Sequence, residues 1–248
     1  MMSNQVVLIT GGIGDIGTAI AKELNKDYAH VVALDVASEK EGQQWVKKLE
    51  IEGYKHCAYR KMDVTDFKEC KRVITNILAD FGRIDALINN AGITMDAVFH
   101  KMTEEQWDKV LRVNLDGMFN VTRQVVEHMR AEERGRIVNI SSVNALKGQY
   151  SQANYAASKS GIYGFTKSLA QELMAKNVTV NSISPGYVDT HLMEGIRPDI
   201  LESIIAQIPA KRLAKPEEVA WAVAFLLHER SQYITGANLC INGGLYMY

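Results

Sequence analysis

The sequence has little of what would mark a secreted, fibrous or membrane protein. Its three cysteines, Cys57, Cys70 and Cys240, are odd in number and widely spaced. They show neither the pairing of a disulfide framework nor the C-x-x-C spacing of a zinc site, and read as reduced thiols within the fold. Only four prolines occur in 248 residues, and no Pro- or Gly-rich tract, charge block or low-complexity run divides the chain. The expectation is one domain over residues 1–248, without an internal linker. A surplus of charge is also missing. Lys plus Arg number 28 against 29 Asp plus Glu, a net charge of -1, so no overall basic field exists to hold nucleic acid or anionic lipid. The longest apolar run, residues 219–227, is nine residues long, where a bilayer span needs about 20. The first five residues lack the basic segment of a secretory signal. These absences predict a cytoplasmic protein without nucleic-acid or membrane partners, in which the sequons at Asn120, Asn139 and Asn177 carry no glycan.

What is present describes a folded α/β chain. Hydrophobic residues make up 47% and charged residues 23%, far from the composition of a disordered chain. Short β-branched or aliphatic runs recur at 6–10, 31–34, 57–62, 86–89, 136–141, 179–184 and 238–241. Between them lie stretches of helical period, such as Trp107, Val110, Leu111, Leu115, Met118 and Phe119 followed by Val125, Val126 and Met129. Strands too apolar to have a wet face, alternating with helices, predict a doubly wound Rossmann domain: a seven-stranded, mostly parallel sheet with helices on both faces. The least regular segment, 186–214, carries two of the four prolines and is flanked by the other two. Loops beyond the strand C-termini shape the ligand site in such sheets, so this segment reads as a substrate lid.

After the first strand come Gly11, Gly12, Gly14, Ile16 and Gly17, then a helical stretch, 18–25. Gly12, Gly14 and Gly17 fit G-x-G-x-x-G, whose glycines let backbone amides and a helix N-terminus approach a pyrophosphate. The second strand ends at Asp35, eighteen residues beyond Gly17. A carboxylate there accepts hydrogen bonds from the adenine ribose and repels a 2′-phosphate, which favours NAD(H) over NADP(H). The tract 35–41 offers only Lys40 against Asp35, Glu39 and Glu41, with no arginine for an extra phosphate.

Further along, Ser142 follows the fifth strand, and Tyr155 and Lys159 lie four apart at the start of a helix. That spacing puts both side chains on one helix face. Bringing a phenol from about 10 to near neutrality takes about 4 kcal/mol. A unit charge about 5 Å away at an effective dielectric of about 20 supplies about 3 kcal/mol, the right order.

The conjunction of the glycine-rich turn, Asp63-Val64, Asn89-Asn90-Ala91-Gly92, Asn114, Ser142, Tyr155, Lys159 and Pro185-Gly186 resembles the short-chain dehydrogenase/reductase family over essentially the whole chain. The resemblance implies that Tyr155 donates a proton to a carbonyl oxygen and that Ser142 orients that oxygen. It implies that Lys159 lowers the phenol pKa and binds the nicotinamide ribose, and that Asn114 holds a water joining Lys159 to solvent. Asp63 and Val64 would contact adenine, and Asn90, Ala91, Gly92, Pro185, Gly186 and Val188 would line the cofactor. One position departs from the family pattern Thr-Gly-x-x-x-Gly-x-Gly: Asp15 stands where the middle glycine belongs. A carboxylate beside a pyrophosphate is unfavourable unless it turns away or caps the helix, and the expectation is a cap.

Within the family, segments 89–103, 137–148, 208–217 and 242–247 are similar to acetoacetyl-CoA reductases of polyhydroxyalkanoate synthesis and to 3-oxoacyl-acyl-carrier-protein reductases. Both reduce a β-ketoacyl thioester. By that resemblance Asp96, Gln149, Gln152, Gly186, Tyr187 and Arg197 belong to the acyl pocket, the branch habit being NADPH. Lys101, Lys147, Arg197, Lys211 and Arg212 would meet either CoA phosphates or an acidic carrier protein. A polyol or sugar dehydrogenase of the same fold, and a dinucleotide sensor without chemistry, are the alternatives. The family is usually homotetrameric. The small residues Ala156, Ala157, Gly161 and Gly164 beside Phe165 and Leu169 suit close helix packing, and the apolar tail 243–248 suits burial against another subunit.

Overall fold

The computed structural model describes residues 5–27 and 30–247, with Leu192 by its backbone alone. The first four residues and Tyr248, which belong to the leader and tail readings, lie outside them. The strands are β1 (Val6–Thr10), β2 (His30–Asp35), β3 (Cys57–Lys61), β4 (Ala86–Asn89), β5 (Gly135–Ile140), β6 (Val178–Pro185) and β7 (Asn238–Ile241). They form one sheet in the order β3-β2-β1-β4-β5-β6-β7, and every pairing is parallel. The helices are α1 (Asp15–Leu24), α2 (Glu39–Ile51), α3 (Phe67–Phe81), α4 (Glu104–Leu111), α5 (Gly117–Ala131), α6 (Asn144–Lys147), α7 (Ala153–Leu173), α8 (His191–Glu194), α9 (Pro198–Gln207) and α10 (Pro216–Leu227). The doubly wound architecture is the one expected, with strand ends displaced by a residue or two.

Both sheet faces are dry. Along β1 the side chains alternate between two cores, Val7 and Ile9 in one and Val6 and Leu8 in the other. The first core takes α1 and α10, and of the nine-residue apolar run 219–227 it buries one face while Trp221 and Phe225 stay exposed. Strand order reverses between β1 and β4, and the loops after these two strands diverge there. In an open parallel sheet that opening is the ligand crevice.

Two local features shape the crevice. α4 and α5 are joined by a π-helical turn, Arg112–Asp116. The extra residue in that turn rotates the helix face, so Val110, Met118, Val125 and Met129 are buried while Phe119 is left 47% exposed. The second is Gly42 in α2: a Cβ there would lie 2.0 Å from the ring of Tyr59. Lacking one, it lets Tyr59 pass beneath the helix and donate its hydroxyl to the carbonyls of Asp35 and Ala37.

The segment 186–214 is more ordered than its sequence predicts, holding α8 and α9. Its ends are pinned together by the Val188 and Ala214 bridge and by the Ala214 N–H donating to the Tyr187 carbonyl at 2.9 Å. No residue of α9 is buried. Asn120 and Asn139 are buried, which excludes glycan attachment at those sequons.

Candidate active site

The turn after β1 is built for close backbone approach. Gly11 has a positive φ of 61°, and a Cβ on it would meet Ala91 Cα at 3.0 Å. A Cβ on Gly17 would lie 2.3 Å from the Gly11 carbonyl oxygen, and one on Gly12 2.6 Å from Ala33. Gly14 is under no such pressure, its nearest contact being 3.6 Å. The glycines that the protein's own packing demands are therefore 11, 12 and 17. Asn90 braces this turn by donating to the carbonyls of Thr10 and Gly11, and Thr10 Oγ1 accepts from the amides of Asn90 and Ala91. Asn90 thus holds the turn in shape.

The expected cap is not formed. Gly14 is the N-cap residue of α1 and no side chain caps the helix. Asp15, the first helical residue, turns away and accepts from the backbone N–H and Nδ1 of His191 at 2.8 and 2.5 Å. Its own helix already points toward it with positive dipole, so the carboxylate does not need to fold back on the amides. The first-turn amides are left to a ligand or solvent.

Beyond the turn lies a cleft of about 780 Å³ lined by Gly11, Asp35, Asp63, Val64, Ala91 and Gly92. Asp35 stands at its rim, its Oδ1 accepting from the Ala37 amide at 3.2 Å. Asp63 accepts from the backbone and hydroxyl of Thr65, both at 2.8 Å. Val36, Thr65, Ile93, Arg112 and Val113 also line the cleft. The sequence reading did not single these out; they come from the loops after β2, β3 and β4 and from the π-helical turn. Ile16 packs half-buried against the core.

Beside Gly92, which lines the cleft, stands the polar cluster. Lys159 is only 3% exposed, and its Nζ donates to the Ile140 carbonyl at 2.8 Å. Burial holds its ammonium down to about 8. Nζ lies 5.8 Å from the centre of the Tyr155 ring. The Tyr155 phenol is pushed up, chiefly by burial and also by the charge of Asp96, while a hydrogen bond with Ser142 works the other way. The direction is opposite to the one expected, because desolvation outweighs the Ser142 hydrogen bond. Ser142 Oγ accepts from the Asn144 amide at 3.1 Å, so its own proton remains to be donated. Gly92 gives these groups room: a Cβ there would lie 3.2 Å from Lys159 Nζ and 3.4 Å from Asn114 Oδ1.

Asn114 sits in the π-helical turn, a common location for functional residues. Its Oδ1 accepts from the Ile93 amide at 2.8 Å, and its Nδ2 donates to the Ile93 carbonyl and to Ser158. Through these partners the side chain braces the loop after β4.

Four of the expected acyl-pocket residues come together. Gln152 donates to both oxygens of Asp96, at 3.1 and 2.9 Å, and accepts from Asn144 Nδ2 at 3.0 Å. Asp96 can only accept, so it fixes which way the Gln152 amide faces, and Gln152 in turn fixes Asn144. Tyr187 donates to Gln149 at 3.4 Å. A Cβ on Gly186 would lie 2.9 Å from Asn242 Cα, which leaves no room for a side chain, and Val188, two residues on, is buried at the base of the segment. Pro185 closes β6 as its last residue. Arg197 stands apart: it is exposed and paired with Asp199 at 2.9 Å. Asn144, which links this chain of amides to Ser142, was not foreseen, since nothing in its sequence context separates it from a turn residue.

A family model described as enoyl-(acyl carrier protein) reductase matches residues 12–246. The nodulation protein G of Azospirillum brasilense is 47% identical over 98% of this chain and 99% of its own length. The acetoacetyl-CoA reductase of Cupriavidus necator is 46% identical over 99% of this chain and 100% of its own. The 3-oxoacyl-[acyl-carrier-protein] reductase of Thermotoga maritima is 42% identical over 98% of each.

Proposed function

The chain belongs to the short-chain dehydrogenase/reductase family and is an oxidoreductase, and from that premise we propose that it reduces acetoacetyl-CoA to the 3-hydroxyacyl thioester with NADH. The observation that carries this reading is the meeting of Ser142, Tyr155 and buried Lys159 beside Gly92, which with Asp35 lines one cleft. The residues present suit a dinucleotide: a glycine cradle that a Cβ would fill, an uncapped helix start and a ribose-facing carboxylate. Gly11 and the first turn of α1 hold the pyrophosphate, Asp35 accepts from the adenine ribose and disfavours a 2′-phosphate, and Asp63 and Val64 flank the adenine. When bound, the nicotinamide supplies the hydride, whose electron pair goes to the carbonyl carbon.

The remaining steps belong to the protein. Ser142 donates its hydroxyl hydrogen to the carbonyl oxygen and holds it beside Tyr155. Tyr155 Oη gives its proton to that oxygen, so the C=O becomes CH–OH and a phenolate is left. Lys159, a cation near neutral pH, stabilises the phenolate until it recovers a proton from solvent. The Asp96, Gln152 and Asn144 chain supports the acyl-pocket assignment because it ends on Ser142. Both thioester carriers are compatible with the relatives' names; acetoacetyl-CoA is preferred on the quoted sequence segments.

The same reading makes the enzyme cytoplasmic, where its free thiols stay reduced, and a homotetramer. An open face on α7, with Ala157 and Gly164 exposed, supports assembly, as does the stacked pair Phe67 and Phe119 on α3 and α5. The tail is half docked on its own domain at Leu245 and Tyr246, with Met247 78% exposed.

The test is oxidation of NADH and, separately, of NADPH by the purified enzyme with acetoacetyl-CoA as acceptor. Preference for NADH with thioester turnover is expected. Preference for NADPH would overturn the Asp35 assignment, and turnover of polyols alone would overturn the substrate class.

A further inference from the structure

Asp15 is a carboxylate in a turn that must face a pyrophosphate, and its partner lies 176 residues away on the segment 186–214. His191 is the first residue of α8, and both its backbone N–H and its Nδ1 donate to the same oxygen, Asp15 Oδ2. Among the described residues, these are the only hydrogen bonds or ion pairs that residues 190–207 make outside the segment. The other polar contacts of this stretch are internal, such as Arg197 with Asp199 and Gln207 with Ser203.

We propose that Asp15 and His191 form a latch, in which His191 is a positioning residue that takes up the carboxylate's charge and fastens the lid to the cofactor-binding turn. The inference rests on the reading that this turn holds a dinucleotide. A free carboxylate at the first position of α1 would repel the pyrophosphate from amides that otherwise attract it. Drawn toward α8 by two donors on one oxygen, it is turned away and partly neutralised. An acceptor-only carboxylate places the shared proton on Nδ1. Asp189 and Glu194 on the lid and Glu217 on α10 line the same groove. Of the two lysines there, Lys22 is paired with Glu52 at 2.6 Å, and Lys48 lies on α2. A lid tied this way reports on the turn: whatever disturbs one loosens the other.

The experiment compares wild type, Asp15→Gly, His191→Ala and the double variant by calorimetric titration with NADH and by proteinase K digestion of the ligand-free enzyme. His191→Asn, which keeps a side-chain donor, serves as the conservative variant. His191→Ala is expected to weaken NADH binding about fivefold in wild type and not at all in the Asp15→Gly background, with His191→Asn recovering most of the loss. Each single variant should speed cleavage within 190–207, and the double variant should be cleaved no faster than either. An equal loss of affinity in both backgrounds, or unchanged cleavage in both single variants, overturns the latch. If wild type bound neither NADH nor NADPH, the dinucleotide reading would fall, while the digestion would still decide whether the two residues hold the lid.

Discussion

A phenol that burial keeps protonated is suited to giving a proton, and the direction of the Tyr155 shift therefore agrees with ketone reduction. Tyr155→Phe is expected to lower kcat by about 10²- to 10⁴-fold while leaving the calorimetric Kd for NADH within about twofold, because the removed hydroxyl contributes to the transition state more than to the ground state. Lys159 sets the alkaline limit. Its ammonium is charged below about 8 and loses its charge as pH rises through that value. The pH profile of kcat/KM for thioester reduction should therefore be level below that point and fall above it, and Lys159→Arg, which stays charged, should move the falling limb upward if any activity remains. At the cofactor rim, Asp35→Ser removes the charge that opposes a 2′-phosphate. It should raise the ratio of kcat/KM with NADPH to that with NADH by at least about tenfold, equivalent to about 1.4 kcal/mol. The thiols take no part: burial pushes Cys57 up to about 11 and Cys70 to about 12, far from the thiolate that reactivity needs.

Elements position these residues through a few tight contacts. Tyr59 reaches under α2 only because residue 42 is glycine, and its hydroxyl fixes the backbone that carries Asp35. Gly42→Ala is expected to destabilise the fold by about 1–3 kcal/mol in urea unfolding, through overpacking, and to weaken NADH binding by loosening the 35–37 loop. The seven strands and the catalytic helix were legible in the sequence, because buried parallel strands are short apolar runs and the Tyr155 and Lys159 spacing is a helical one. The π-helical turn was not. Its residues, Arg112–Asp116, have an ordinary helical pattern, and only the packing of Asn114 between Ile93 and Ser158 selects the wider turn. The helices of 186–214 were missed for a related reason, since mixed polarity on a surface helix with no buried face gives no period to read.

For the molecule as a whole, the proposed tetramer makes the open face of α7 a contact surface. Gly164 has nothing within 4 Å of a would-be Cβ, so Gly164→Arg leaves the single subunit unstrained and improves its helix propensity. Light scattering should show that variant as a smaller assembly with an unchanged far-ultraviolet spectrum, and an intact tetramer would remove α7 from the interface. The sequence by itself determined the fold class, the glycine-rich turn, Asp35 and the Ser142, Tyr155 and Lys159 set, because each depends on local period, strand ends or fixed spacing. Tertiary structure alone decided the rest: that Asp15 bonds to His191 rather than capping its helix, that Asn90 and Asn114 brace loops, that Arg197 pairs with Asp199, and that burial raises the Tyr155 phenol. Those outcomes turn on which groups from distant segments meet and how much water is excluded between them, and neither quantity is written in local sequence.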